Sequence, residues 1–112
     1  MISSQMLKGM LEGCILEIIY KQETYAYEIS KLLEEYGFGK ISEGTIYPII
    51  LRLQKGELVK ATVRDSNSGP KRKYYRLTEK GIVSLYEFKV NWKELEHAIK
   101  STRDMFQSFV FI

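Results

Sequence analysis

Cysteine, histidine and tryptophan each occur once in these 112 residues, and proline occurs twice. A lone Cys14 excludes an internal disulfide, and it has no cysteine or histidine partner at metal-ligand spacing. With His97 as the single imidazole, there is no histidine cluster for a metal and no partnered nucleophile or base; Cys14 and His97 read as structural or solvated. No phosphate-binding loop is present either, so the chain is not expected to be an enzyme, and no cofactor or metal is expected. Also missing is any apolar run near the roughly 18 to 20 residues that span a bilayer, and the chain does not open on a secretory pattern. A cytoplasmic protein without membrane contact is the expectation.

Hydrophobic residues make up 45% and charged residues 28%, which argues for a folded chain. The length suits one small domain with a modest core. Eight tyrosines and five phenylalanines are many for this length and point to packed surfaces or interfaces. The net charge of +3 is modest but unevenly placed. Lys60, Arg64, Lys71, Arg72, Lys73, Arg76 and Lys80 face only Asp65 and Glu79, a local +5 that leaves −2 for the remainder. A confined basic surface on an otherwise slightly acidic chain is the footprint of phosphate contact.

Met6, Leu7, Met10, Leu11, Cys14, Ile15, Leu16, Ile18 and Ile19 recur at helical spacing, predicting one helix from Met6 to Tyr20 with a face too wide for a small domain to cover. A second helix is predicted from about Tyr25 to Tyr36, capped by Thr24, with Ala26, Ile29, Leu32 and Leu33 inward and Glu28 among the residues facing water. Gly37-Phe38-Gly39-Lys40 ends it.

The next stretch, Ser42 to Gly56, reads as a short helix with a polar front. Ser42 is its N-cap candidate, Ile46, Ile49, Ile50 and Leu53 form its inward stripe, and Gly56 is its stop. Thr45, Tyr47, Pro48, Arg52 and Lys55 lie on its other faces. Pro48 loses one helical hydrogen bond and crowds the carbonyl of Gly44, which has no side chain to hinder adjustment. Two helices joined by a tight turn, the second with a polar leading end, form a helix-turn-helix whose second helix is a candidate DNA reader.

Beyond Gly56 the period becomes two. Val59, Ala61 and Val63 alternate with Lys60, Thr62 and Arg64; six turn formers, Asp65 to Pro70, follow; then Lys71 to Thr78 alternates, with Tyr75 and Leu77 opposite Tyr74 and Arg76. A hairpin with a basic tip directly after a reading helix is a wing. Alternation sets Arg72 opposite Lys71 and Lys73. Thr78 is the predicted cap of a last helix in which Leu85, Phe88, Trp92, Leu95, Ile99, Thr102, Phe106 and Phe109 keep a heptad seam. At about 1.5 Å per residue such a helix is roughly 45 Å long, more than one protomer can bury. The predicted fold is mainly α with a small β-hairpin: a winged helix-turn-helix over 1–78 and a long C-terminal dimerisation helix over 79–112.

Tyr25-Ala26-Tyr27-Glu28-Ile29, Gly44-Thr45-Ile46-Tyr47-Pro48-Ile49-Ile50-Leu51-Arg52-Leu53 and Gly69-Pro70-Lys71-Arg72-Lys73-Tyr74-Tyr75-Arg76-Leu77-Thr78-Glu79-Lys80-Gly81 together resemble the PadR family of bacterial transcriptional regulators. The likeness spans roughly residues 5 to 81. It departs at Ala26, where the family usually has glycine, and in the apolar ending Phe109-Val110-Phe111-Ile112. The resemblance implies a homodimer that represses a nearby operon until a small molecule releases it. The single C-terminal helix is similar to that of the multidrug-sensing subfamily, which implies that Trp92 lines a flat cavity at the two-fold axis.

Candidate roles follow. Ser42, Thr45, Tyr47, Pro48, Arg52 and Lys55, with Lys71, Arg72 and Lys73 of the wing, are the DNA-binding set, against the plainer reading of a solvated helix face and a soluble hairpin tip. Trp92 and Glu96 are the ligand set: Trp92 reads either as interface packing or as a wall for a planar aromatic molecule, and Glu96 either as solvated or as a partner for a cationic group. Leu7, Leu11, Cys14, Ile18, Leu85, Phe88, Trp92, Leu95, Ile99, Phe106 and Phe109 are the dimer-interface set. The expected partners are double-stranded DNA with a near-palindromic operator, a second copy of the chain and a planar aromatic molecule. A different class remains open, a protein-protein interaction module that uses the seam and binds little DNA.

Overall fold

The computed structural model describes residues 2–66 and 69–110, with side chains placed through residue 103. Five helices and one hairpin follow in order: α1 (Ser4–Leu7), α2 (Leu11–Lys21), α3 (Ala26–Glu35), α4 (Glu43–Lys55), β1 (Val59–Ser66), β2 (Gly69–Leu77) and α5 (Glu79–Val110). The helix expected from Met6 to Tyr20 is therefore two. Gly9 adopts φ +93, a left-handed conformation that glycine takes without penalty, and the chain bends there. The bend lets Leu7 fold back onto the core, where it is 6% exposed.

α2 is the central element. Leu11, Ile15, Leu16, Ile18 and Ile19 are all buried, so one protomer covers nearly the whole of the wide apolar face. Of the apolar set expected from Met6 to Tyr20, Met6 stays 72% exposed and Met10 and Cys14 are half-buried, so the domain does not cover all of it. α3, α4, the base of the hairpin and the start of α5 close around this helix, supplying Ile29, Leu33, Ile46, Ile50, Leu53, Val59, Tyr75 and Leu85 to a single core. Each of these is removed from water at a gain of about 1.5 to 3 kcal/mol relative to exposure.

Thr24 does not cap α3 as expected. Tyr25 occupies the N-cap position without a side-chain hydrogen bond. Thr24 is buried instead, its backbone exchanging two hydrogen bonds with Tyr75 (3.3 and 2.8 Å). Its hydroxyl donates to Glu28 Oε1 at 2.6 Å, which draws Glu28 partly out of solvent. Thr24 thus adds a third, one-residue rung beside β2 and ties the front of α3 to the wing.

Ser42 caps α4 by accepting from the Thr45 N–H at 3.3 Å, and Pro48 sits inside the helix, which continues to Lys55. The left-handed residue after α4 is Glu57 (φ 62), whereas Gly56 keeps φ −79. α4 thus stops at Gly56 as expected, and the left-handed turn falls on the residue after it.

In the antiparallel hairpin Val59 pairs Leu77, Ala61 pairs Tyr75, Val63 pairs Lys73 and Arg64 pairs Arg72, with an irregularity between Arg64 and Ser66. Both strands run further toward the tip than the six-residue turn expected over 65–70. Of the expected inward set in β1 only Val59 is buried; Ala61 and Val63 are exposed because no second layer covers the outer hairpin.

Thr78 accepts from the Gly81 N–H at 3.0 Å and donates to the Glu57 carbonyl at 2.7 Å, capping α5 while joining it to the end of α4. The first turns of α5 pack on α2. Gly13 makes this possible, since a Cβ there would lie 2.3 Å from the Phe88 ring. From Lys89 to Arg103 every residue of α5 is exposed, and with this helix included the molecule measures 58 × 28 × 20 Å.

Candidate nucleic-acid interface

The buried stripe of α4 fixes its outer face by geometry. With Ile46, Ile49, Ile50 and Leu53 inward, Ser42, Gly44, Thr45, Tyr47, Pro48, Leu51, Arg52 and Lys55 are exposed. Helical phase sets Gly44, Pro48, Leu51 and Lys55 along the middle of that face, with Tyr47 on one shoulder and Thr45 and Arg52 on the other. Tyr47 is 51% exposed, so it is not a core residue. The Thr45 hydroxyl lies 3.3 Å from Ser42 Oγ, which holds both hydroxyls at the helix front. Arg52 reaches Glu12 of α2 at 3.6 Å, a solvent-exposed pair that leaves the guanidinium free to change partner at little cost.

The front of α4 meets the wing across a shallow groove of about 250 Å³. Tyr25, Ala26 and Tyr27 from the start of α3, Glu43 and Tyr47 from α4, and Lys71, Arg72, Lys73 and Tyr75 from β2 line it. Three cations against one carboxylate give it a positive lining. Burial, and after it the nearness of Tyr47, pushes the Tyr75 hydroxyl above its ordinary value of 10.0, so the Tyr75 phenol stays neutral.

Within the expected DNA set, the structure brings Tyr47 together with Lys71, Arg72 and Lys73, while Arg52 and Lys55 stand at the far end of α4, outside the groove. Lys71 and Lys73 are exposed. The Arg72 guanidinium lies over the Tyr25 ring, 4.4 Å from its centroid.

A winged helix-turn-helix with this motif set has known counterparts. The model of the transcriptional regulator PadR-like family matches residues 15–87. The chain belongs to the PadR-like family of transcriptional regulators. It is 50% identical to a PadR-like transcriptional regulator from Bacillus cereus, whose crystal structure superposes with a TM-score of 0.80 over 88% of this chain and 96% of that one. A Streptococcus transcriptional regulator is 38% identical, with a TM-score of 0.80 over 90% and 99% of the two chains. Transcriptional regulator YqjI of Escherichia coli is 33% identical over 83% of this chain, which spans 44% of that protein's length. A winged-helix regulator, not an enzyme, is the class these PadR-like relatives give.

The residues expected between PadR-like copies divide by exposure. Leu7, Leu11, Ile18 and Leu85 are at most 8% exposed within a single copy, so they have little area left to add to a contact between copies. The physical reason is the bend at Gly9 and the docking of α5 on α2. Cys14 and Phe88 are half-buried against the same core. Trp92, Leu95 and Ile99 are 43%, 42% and 47% exposed on the free part of α5, and Glu96 is exposed beside them. Phe106, Phe109 and the rest of the apolar ending lie outside the residues whose side chains are described. Among the described residues no group of histidine, cysteine or acidic side chains is arranged to hold a metal, and no helix is long and apolar enough to cross a membrane.

Leu51 on the outer face of α4 and Tyr25 in the groove belong to this surface and were not in the expected set. Leu51 carries a signal in the sequence: an apolar residue out of phase with its helix's inward stripe. The place of Tyr25 against the wing depends on the hairpin's register, which composition does not fix.

Proposed function

We propose that this PadR-like chain is a homodimeric DNA-binding repressor. α4 enters the major groove, and the wing touches the adjacent backbone or minor groove. The observation that carries this reading is the positive groove joining the front of α4 to Lys71, Arg72 and Lys73. Ser42, Thr45, Tyr47, Pro48, Arg52 and Lys55 are the α4 residues that meet the duplex. Leu51 suits contact with a thymine methyl, while hydroxyls and lysines suit phosphates. The interaction-module alternative accounts for the exposed apolar side of α5 but leaves the basic groove without a use.

Two-fold symmetry implies a near-palindromic operator with half-sites about one helical turn, roughly 34 Å, apart. A duplex selected by the protein from a random-sequence pool, followed by binding across a salt series, is the test. With about four phosphates neutralised per protomer, log K against log salt falls with a slope near −7, at about −0.9 per phosphate. Failure to select any sequence, or binding that ignores salt, overturns the reading.

Trp92 and Glu96, exposed on α5, supply the site at which a planar aromatic molecule acts. In a dimer two indoles facing across the axis offer flat apolar walls, and Glu96 offers a charge for a cationic group. Because Trp92 is the single tryptophan, its fluorescence reports occupancy directly. Planar aromatic cations are expected to quench it and to release the duplex, and Trp92→Ala to abolish that release. No quenching across a broad panel removes the ligand part of the proposal.

A further inference from the structure

The outer half of the wing has no buried residue. From Lys60 to Asp65 β1 is exposed throughout, and in β2 only Arg72 and Tyr74 are partly covered before Tyr75. A two-stranded hairpin by itself is marginal in water, so something outside it must hold its lysines in place. The contact is a chain of stacked side chains. Arg64 pairs with Glu23, just before α3, and lays its guanidinium over the Tyr74 ring, 4.6 Å from the centroid. Tyr74 meets Tyr25 edge to face, with ring centres 5.2 Å apart, and Arg72 covers Tyr25 at 4.4 Å. Arg64 and Arg72 are direct cross-strand partners, so both strands are gripped at one level. Two guanidinium groups side by side repel in isolation. Here each is neutralised or stacked by a group of the helical body.

From this geometry we infer that Tyr25 is a positioning residue for DNA binding: through Arg72 and Tyr74 it sets the angle of the wing, and so the place of Lys71 and Lys73, without itself contributing charge to the duplex. Arg72 then serves chiefly as the strand's handle on Tyr25, and the phosphate contacts of the tip fall to the two lysines. The base of the wing is held separately by Val59, Tyr75 and the Thr24 rung, so loss of the stack frees the outer hairpin and leaves the core intact. This rests on the DNA-binding reading above.

The distinguishing readout is the salt dependence, because Tyr25→Leu changes no charge. The full chain, bound to the duplex selected by the unaltered protein, is expected to weaken on the order of a thousandfold at about 0.1 M salt with Tyr25→Leu, and its salt slope to shrink from about −7 to about −3.5, the loss of two phosphates per protomer. The slope is then that of Lys71→Ala with Lys73→Ala, and adding Tyr25→Leu to that pair does nothing further. Tyr25→Phe, which keeps the ring, behaves as the unaltered protein. Arg72→Lys keeps the charge but gives up the planar stack, and shifts affinity and slope in the same direction. It stands in should Tyr25→Leu fail to fold. An unchanged slope in Tyr25→Leu or Arg72→Lys, or a Tyr25→Leu loss that adds to that of the lysine pair, overturns the inference. Amide hydrogen exchange separates it from the DNA reading. Even if the unaltered protein binds no duplex, faster exchange over 62–66 with unchanged protection in α2 supports the tether, and unchanged exchange in the outer hairpin refutes it.

Discussion

Glu57 holds a conformation that β-carbons disfavour: at φ 62 it is in the left-handed region, where an L-residue other than Asn or Asp costs about 1 to 2 kcal/mol relative to right-handed backbone. It is kept there because Thr78 donates to its carbonyl and Leu58 must turn inward at once to accept the start of α5. Glu57→Gly removes the penalty but loosens the unfolded chain. The expected net gain is about 0.5 to 1 kcal/mol, read as a raised midpoint in thermal or urea unfolding. Cys14 makes a second residue-scale prediction. Burial first, and the Glu17 carboxylate second, push its thiol above the ordinary value of 9.0. The shift favours the protonated form in the folded chain, so its contribution to stability is complete below the unfolded value and is lost as pH rises through the folded one. Alkylation by iodoacetamide should therefore reach half its maximal rate above pH 9.0 in the folded protein, and nearer the ordinary value in denaturant.

At the scale of elements, α4 and the wing differ in how far their own residues determine them. α4 carries its start in Ser42 and its inward stripe in Ile46, Ile49, Ile50 and Leu53, all local signals, and each is where the sequence pattern puts it. Ser42→Ala removes the acceptor for the Thr45 N–H and is expected to cost about 1 kcal/mol of stability by urea unfolding. The wing was legible as a hairpin but not in its burial. Alternation marks two faces without saying whether a second layer exists, and beyond Val59 there is none. Its contacts to Tyr25 and Glu23 depend on pairing Arg64 with Arg72, a register offset by the irregularity before Ser66 that residue types alone do not disclose. The break at Gly9 was missed for a related reason. A single glycine within an apolar helical pattern is tolerated at a cost of about 1 kcal/mol relative to alanine, and here folding Leu7 onto the core decides for the bend.

For the molecule as a whole, α5 was readable as a long helix because its seam repeats, yet the seam serves two purposes. Leu85 and Phe88 attach it to α2, while Trp92, Leu95 and Ile99 are left in water. Trp92, Leu95 and Ile99 recur at three and four residues, so among the described residues they share one face of a helix with no neighbour of its own chain. A second copy supplies that neighbour under the proposed function and sets the distance between the two α4 helices. Sedimentation at micromolar concentration is then expected to give a dimer, and Leu95→Asp a folded monomer, since Leu95 is 42% exposed and takes no part in the core. On DNA the monomer keeps only one set of phosphate contacts, so its salt slope should fall by half, from about −7 to about −3.5. Tyr25→Leu instead leaves the dimer whole and shortens the slope through the wing, so sedimentation tells the two losses apart. A Leu95→Asp chain that still sediments as a dimer would move the contact between copies off this face of α5, and with it the route by which a molecule at Trp92 could move the two reading helices.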